Sequence, residues 1–135
     1  MATRMAMMSD REFLERYREK LGDSLRKATW IGSVEEHTGR QGETLATRSH
    51  EVIQQWAKDR GAKPATVPGT EHAGMPGVLR FDFPGGMKGR LKEVEWDGWL
   101  ETFDSRDLVM LFQERLSNGS RSNFFRFINP HREDA

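Results

Sequence analysis

The chain has 135 residues, no cysteine, and 21 basic residues against 21 acidic ones. This length suits one domain with its own core, and the missing cysteines exclude disulfides and thiolate metal sites. The zero net charge lacks the basic excess of nonspecific nucleic-acid binders, and no apolar run approaches the roughly 18 residues of a membrane span. We therefore expect a small soluble protein of the cytoplasm, without membrane attachment.

The first part of the chain predicts a helical arm over residues 9–30. We expect residues 1–8 to be disordered, and Met8 offers an alternative start of translation. Ser9 or Asp10 can cap a helix whose apolar residues recur at intervals of four. These residues form one stripe: Phe13, Leu14, Tyr17, Leu21 and Leu25. Two interpretations stay open, since the stripe can pack on the chain's own core or form the candidate surface for a partner protein or a second copy.

A polar, glycine-rich segment separates this arm from the rest of the chain. Residues 31–46 include Gly32, Gly39 and Gly42, a composition typical of a flexible linker. The remaining sequence up to residue 128 contains alternating and helical apolar patterns. We therefore expect an α+β core over residues 47–128, followed by a polar tail over residues 129–135.

The core opens with a predicted helix and a predicted strand. Thr47 or Ser49 can cap the helix, and its apolar face consists of Val52, Ile53, Trp56 and Ala57. Gly61 stands where a left-handed residue commonly ends a helix. The segment 63–67 then predicts a strand, and Pro64 favours the edge of a sheet for it.

A clear alternation follows over residues 78–83. Leu79, Phe81 and Phe83 point one way, while Arg80 and Asp82 point the other, which is typical of a half-buried strand. A third helix is predicted near Asp97, because Trp96, Trp99, Leu100 and Phe103 have the i, i+3, i+4, i+7 spacing of one helix face.

Two further strands form a predicted hairpin near the C-terminus. They span residues 108–115 and 123–128 and are joined through Asn118 and Gly119, the strongest short-range hairpin signal. Because helices and strands do not alternate regularly, a parallel βαβ sheet is not expected. The sequence predicts an α+β fold, with an antiparallel sheet of about four strands, helices packed on one face, and the N-terminal helical arm.

No catalytic, cofactor-binding or metal-binding residues are predicted. The four histidines are His37, His50, His72 and His131, and none has the spacing of a zinc site. The Gly-x-Ser-x-Gly motif of serine hydrolases does not occur. An enzyme is therefore the third of three functional hypotheses, and we expect no cofactor.

Basic and aromatic residues in and around the predicted strands support a second hypothesis. The candidate nucleic-acid surface consists of Arg80, Lys88, Arg90, Arg115 and Arg126. Phe124, Phe125 and Phe127 interleave with Arg126, and aromatic side chains with arginines can stack bases and contact phosphates of single strands. Nucleic-acid binding is the alternative to the leading hypothesis.

Several stretches carry a resemblance to known sequences. They are Ser49–Ala57 (SHEVIQQWA), Arg60–Val67 (RGAKPATV), Gly77–Gly85 (GVLRFDFPG), Trp96–Trp99 (WDGW) and Leu111–Glu114 (LFQE). With them the chain resembles a group of short bacterial proteins of unknown function, over roughly residues 47–128. Some of those proteins are labelled as glucan-branching enzymes, which are large barrels of several hundred residues, too large for this chain. The resemblance therefore implies no activity and no catalytic residues.

The leading hypothesis is a non-catalytic binding or regulatory module. It docks on a partner protein or on a second copy of itself. The absence of catalytic motifs, the near-zero charge and the apolar stripe of the arm motivate it.

Overall fold

The computed structural model describes residues 10–17, 27–36, 41–86 and 89–130. These segments contain three helices and seven strands. The helices are α1 (Asp10–Arg16), α2 (His50–Asp59) and α3 (Trp96–Ser105). The strands are β1 (Thr29–Trp30), β2 (Thr44–Thr47), β3 (Lys63–Thr66), β4 (Leu79–Asp82), β5 (Lys92–Glu93), β6 (Val109–Gln113) and β7 (Phe125–Ile128). This content confirms the predicted α+β class, while residues 1–8 and 131–135 lie outside the described segments.

The larger sheet has four strands in the order β1–β2–β6–β7. β1 is parallel to β2, whereas β2, β6 and β7 are antiparallel neighbours. In this register Leu45 lies opposite Phe112, and Leu111 lies opposite Arg126. The two central strands are buried on both faces, so the sheet separates two apolar clusters.

The strand β2 corrects the prediction of a flexible linker over residues 31–46. That prediction is wrong at both ends of the segment, because Ile31 is buried and Thr44–Thr47 is a central strand. Leu45 packs in one apolar cluster and Ala46 in the other, so this short segment is held from both sides. The Thr47 hydroxyl also donates to the Ile31 carbonyl at 2.7 Å.

A second sheet of three antiparallel strands has the order β4–β3–β5. The strand β3 is therefore central, and the prediction that Pro64 marks an edge is wrong. The Pro64 carbonyl accepts from the Val94 N–H at 3.0 Å, on the β5 side. Because the nitrogen and carbonyl of one strand residue face the same neighbour, the missing N–H interrupts only the short β3–β5 pairing. The β3–β4 ladder stays complete.

The boundaries of α2 follow the sequence prediction. The Ser49 Oγ accepts from the Val52 N–H at 3.2 Å and caps the helix. Gly61 has a φ of +65° just after the helix, a conformation that glycine adopts without strain. The predicted apolar face is buried and consists of Val52, Ile53, Trp56 and Ala57.

The main core lies where α2, α3 and both sheets meet. Leu79 and Phe81 of β4 are buried while Arg80 is exposed, which confirms the predicted alternation. Nine aromatic rings pack together there, and we call them the aromatic core. They are Trp56, Phe81, Phe83, Trp96, Trp99, Phe103, Phe112, Phe125 and Phe127.

The predicted hairpin joins β6 to β7. Gly119 has a φ of +90° in its turn, and its N–H donates to the Leu116 carbonyl at 2.9 Å. Phe112 pairs with Phe125, but further out Arg115 pairs with Arg121. Between these two pairs the chain advances three residues on the β6 side of the hairpin and four on the β7 side. The extra residue forms a β-bulge on the β7 side.

The other face of the larger sheet is covered by α1. Phe13 packs there with Ala46, Val109 and Leu111, and all four side chains are buried. The helices α2 and α3 therefore share one face of this sheet, as predicted, and α1 takes the opposite face.

Candidate functional site

The apolar stripe of the arm is held by the chain's own core. Phe13 is fully buried, so the prediction that it belongs to a partner surface is wrong for this side chain. Leu14 and Tyr17 are half-buried against the same cluster. Leu21 and Leu25 lie outside the described residues. The described part of the stripe therefore packs within the protein.

Polar contacts fix α1 in this position. The Arg48 guanidinium lies over the Phe13 ring, 4.4 Å from its centroid, and its Nε donates to the Leu108 carbonyl at 3.2 Å. The Tyr17 hydroxyl donates to Asp107 at 2.9 Å. Burial, and next the hydrogen bond to Asp107, raise the pKa of the Tyr17 hydroxyl above its ordinary value.

The predicted basic surface is spread over separate parts of the fold. Arg80 lies on β4 in the smaller sheet, whereas Arg126 lies on β7 in the larger one, opposite Leu111. Arg115 belongs to the β6–β7 hairpin, and Arg90 precedes β5. Lys88 lies outside the described residues. The structure does not bring these side chains onto one strand face.

A cavity of about 260 Å³ opens between the end of α2 and the β6–β7 hairpin, and we call it the arginine cavity. Its polar lining consists of Gln55, Asp59, Arg60, Glu114, Arg115 and Arg121. Its apolar lining consists of Val34, Val52, Trp56 and Phe112. Three guanidinium groups thus border one small, partly apolar space.

Arg60 joins α2 to the hairpin at the inner side of this cavity. Its guanidinium donates to the carbonyls of Trp56 at 2.9 Å, Ser122 at 2.6 Å and Glu114 at 3.2 Å. It also lies over the Trp56 ring, 4.3 Å from the centroid. Burial, and next the positive charge of Arg121, lower the pKa of Arg60 to about 10. The group therefore remains charged at neutral pH, next to a second cation.

Arg115 and Arg121 face each other across the hairpin and retain donors for a ligand. Arg115 Nη1 donates to the Gly119 carbonyl at 3.2 Å, and Arg121 Nη1 donates to the Asp59 carbonyl. A guanidinium has five N–H donors. The bonds described here use one donor of each arginine and leave the others available to an anion.

Sequence reasoning missed the role of Arg60 and did not place Arg121 in a site. Trp56 and Arg60 have the i, i+4 spacing of neighbours on a helix, so their contact could have been predicted. The approach of Arg121 depends on the bulge and on the packing of α2 against the hairpin, and neither has a local sequence signal.

Exposed apolar side chains flank the cavity arginines in sequence. Leu116 follows Arg115 and is 41% exposed, and Phe124, three residues after Arg121, is 44% exposed. We call these four residues the hairpin surface. They combine two cations with two large apolar groups on one short segment.

A histidine and a carboxylate pair between α2 and α3. His50 Nε2 lies 2.9 Å from Asp104 Oδ2 and joins the start of α2 to the end of α3. The adjacent Ser49 hydroxyl accepts from the Val52 N–H and caps α2. Within the described segments, no three His, Asp or Glu side chains converge on a metal position.

Comparison of the chain with models of protein families, with curated proteins and with solved structures found no match. None of the helices in the described residues is long and apolar enough to cross a bilayer. The geometry of the arginine cavity and the hairpin surface is therefore the basis for a functional interpretation.

Proposed function

We propose that this protein is a non-catalytic binding module that docks on a partner protein through its hairpin surface. The observation that carries this proposal is the exposure of Leu116 and Phe124 on the hairpin that also carries Arg115 and Arg121. Among the described residues only Val78 is a further large hydrophobic side chain with comparable exposure. Two of the three thus belong to one hairpin.

The composition of the hairpin surface supports docking on a protein. Aromatic residues and arginine are enriched among the residues that dominate binding energy at protein interfaces. Arginine also pairs with carboxylates in a fixed geometry, which adds specificity. Phe124 and the two arginines supply both features.

The burial of Phe13 favours the hairpin over the arm as the docking element. A second copy of the chain is included as a partner, since the net charge of zero gives little self-repulsion. A cysteine-free chain suits the reducing cytoplasm, where we place this module.

The experiment compares the native protein with the double variant L116S/F124S. The matched control is V78S, which makes the same change at the exposed apolar position outside the hairpin. Proteins retained from an extract of the source organism are quantified for all three, and each candidate is then titrated in purified form. Light scattering on the purified chains measures self-association.

We expect one partner, or a second copy, to bind the native protein and V78S but not L116S/F124S. A monomer at high concentration together with equal retention by all three proteins would overturn the proposal. Circular dichroism checks that each variant is folded.

Nucleic-acid binding stays as the alternative proposal, and an unrecognised enzyme is third. The spread of Arg80, Arg115 and Arg126 over both sheets gives the alternative less support. Titration with labelled single-stranded oligonucleotides at low salt tests it, because phosphate contacts weaken strongly as salt rises.

A further inference from the structure

We infer that the arginine cavity receives a carboxylate of an acidic partner segment, an inference that rests on the proposed docking function. The ligand class is a glutamate or aspartate side chain within a peptide, with apolar atoms next to the carboxylate. The donors, the charge balance and the apolar wall of the cavity support this assignment separately.

The donors come from Arg115 and Arg121. Their backbones are paired across the hairpin, and both residues line the cavity. Each is anchored by one bond to a backbone carbonyl, Gly119 for Arg115 and Asp59 for Arg121. Anchoring reduces the side-chain entropy lost on binding, and guanidinium groups bind carboxylates through parallel N–H···O bonds.

Arg60 sets the electrostatic potential rather than contacting the ligand. Its donors are engaged by four backbone carbonyls, those of Trp56, Gln113, Glu114 and Ser122, which fix its positive charge in place. The positive charge of the nearby Arg121 repels that of Arg60 and makes its charged form less favourable. An anion in the cavity offsets that repulsion. Arg60 thereby favours a negatively charged ligand without bonding to it.

The charge balance favours a single negative charge. Three arginines and two carboxylates, Asp59 and Glu114, border the cavity, leaving an excess of one positive charge. Gln55 donates to Asp59 Oδ1 at 2.8 Å and directs that carboxylate oxygen. A carboxylate matches this excess, whereas a doubly charged phosphate exceeds it by one negative charge and is repelled more strongly by the two acidic side chains.

The apolar wall favours a peptide over a nucleic-acid backbone. Val34, Val52, Trp56 and Phe112 line the rest of the cavity. The methylene groups of a glutamate gain by contact with such a surface. A phosphodiester with its polar sugar gains little there, so the same wall discriminates against it.

The test uses the full chain and two capped tripeptides. The first has a glutamate between two leucines, and the second has glutamine in place of glutamate. Nuclear magnetic resonance follows the arginine Nε–Hε signals during titration, and the variants R115Q and R121Q assign them. R80Q is the matched control, since Arg80 is exposed and lies on the other sheet.

We expect the glutamate peptide to shift the Arg115 and Arg121 signals saturably, and the glutamine peptide to leave them in place. R115Q and R121Q should each weaken binding about tenfold, the effect of losing one charge-assisted hydrogen bond. R80Q should bind as the native protein does. Two separate variants are used because each also removes a different anchoring bond, to the Gly119 carbonyl in R115Q and to the Asp59 carbonyl in R121Q.

Three outcomes would overturn the inference. They are no saturable shift at millimolar peptide, equal shifts with both peptides, or tighter binding of inorganic phosphate or a short oligonucleotide than of the glutamate peptide. The partner experiment with L116S/F124S separates the two proposals. If that variant loses its partner while the peptide does not bind, the docking function stands and only the carboxylate site falls.

Discussion

The buried guanidinium of Arg48 connects parts of the chain that are distant in sequence. It is 7% exposed, covers the Phe13 ring, donates to the Leu108 carbonyl, and lies 3.8 Å from Asp107. A buried charge is costly unless it is paired and hydrogen-bonded. Asp107 and Leu108, just before β6, supply the pair and the hydrogen bond, while Phe13 of α1 covers the guanidinium, so its burial depends on the arm.

Tyr17 provides a direct test of this contact, because it is the only tyrosine of the chain. Its absorbance near 295 nm therefore reports one ionisation. We expect the pKa of Tyr17 in the native protein to lie above the ordinary value of 10.0, through burial and the bond to Asp107. The variant D107N should lower it, since it removes the negative charge that opposes ionisation.

The sign of the linked stability follows from the raised pKa. The folded state holds the Tyr17 proton more tightly than the unfolded chain does, so the stabilisation is complete below pH 10. It is lost as the pH rises through the pKa of the folded state. D97N, at an exposed position of α3, serves as the control. A native pKa equal to that in denaturant would contradict the docked position of Tyr17.

At the residue scale, sequence periodicity predicted the apolar contacts better than the polar ones. The buried faces of α2 and β4 follow directly from spacing, because burial depends on the local period. In the sequence, nothing distinguishes Arg60 and Arg48 from arginines that are exposed to solvent. Their carbonyl partners lie far along the chain, at Ser122 and Leu108, and only the folded backbone brings them near.

Among the elements, α1 depends for its position mainly on one buried side chain. Phe13 is its only fully buried side chain in the described part of the arm, and the rings of Tyr17 and Trp30 lie 4.8 Å and 6.3 Å from it. A seven-residue helix has little stability in isolation. Its structure therefore depends on this insertion into the sheet face.

The substitution Phe13→Ala tests that dependence. We expect it to lower the free energy of unfolding by about 3 kcal/mol, as for other buried phenylalanines. Arg11→Ala, at an exposed position on the same helix, should change it by less than about 0.5 kcal/mol. Urea denaturation followed by circular dichroism measures both. Equal stability of the two variants would show that α1 is not held against the sheet.

Strand β2 and Pro64 show why some elements escaped prediction. β2 is four residues long and buried on both faces, so it has no alternation of apolar and polar residues to detect. It also follows a glycine-rich segment that resembles a linker. Pro64 lies in a central strand whose one neighbour is only two residues long, and sequence does not reveal the length of that neighbour.

For the molecule as a whole, the aromatic core joins the two sheets into one unit. Phe81 of the smaller sheet lies 5.0 Å from Phe125 of the larger sheet and 5.2 Å from Trp99 of α3, measured between ring centroids. Aromatic pairs at such distances contribute beyond their buried area. We therefore expect the sheets to unfold together.

The variant Phe81→Ala tests this coupling. It should lower the free energy of unfolding by about 3 to 5 kcal/mol, while Phe124→Ala, the same change at an exposed position, should cost far less. Near-ultraviolet and far-ultraviolet circular dichroism should give coincident transitions for each protein. Two separated transitions would mean that the sheets are independent units.

The fold class could be predicted from the sequence, whereas the number of sheets could not. The Asn118–Gly119 hairpin and the faces of α2 and α3 have strong local signals. The smaller sheet depends on pairing between β3, β4 and the two-residue β5, which has almost no pattern of its own. The arginine cavity forms where α2 packs against the hairpin. It could be predicted only if that packing were already known.

The pairing of β2 with β6 also determines the order in which the protein can fold. Thr44 lies opposite Gln113, and the Gln113 side chain reaches the Gly42 carbonyl across 71 positions of sequence. During synthesis β2 leaves the ribosome before its antiparallel neighbour β6 has been made. Its apolar side chains therefore cannot pack against β6 until that strand is synthesised. Long-range strand pairs form slowly because the intervening chain must close a large loop. We therefore expect the larger sheet to be completed late and its closure to be a slow step of folding.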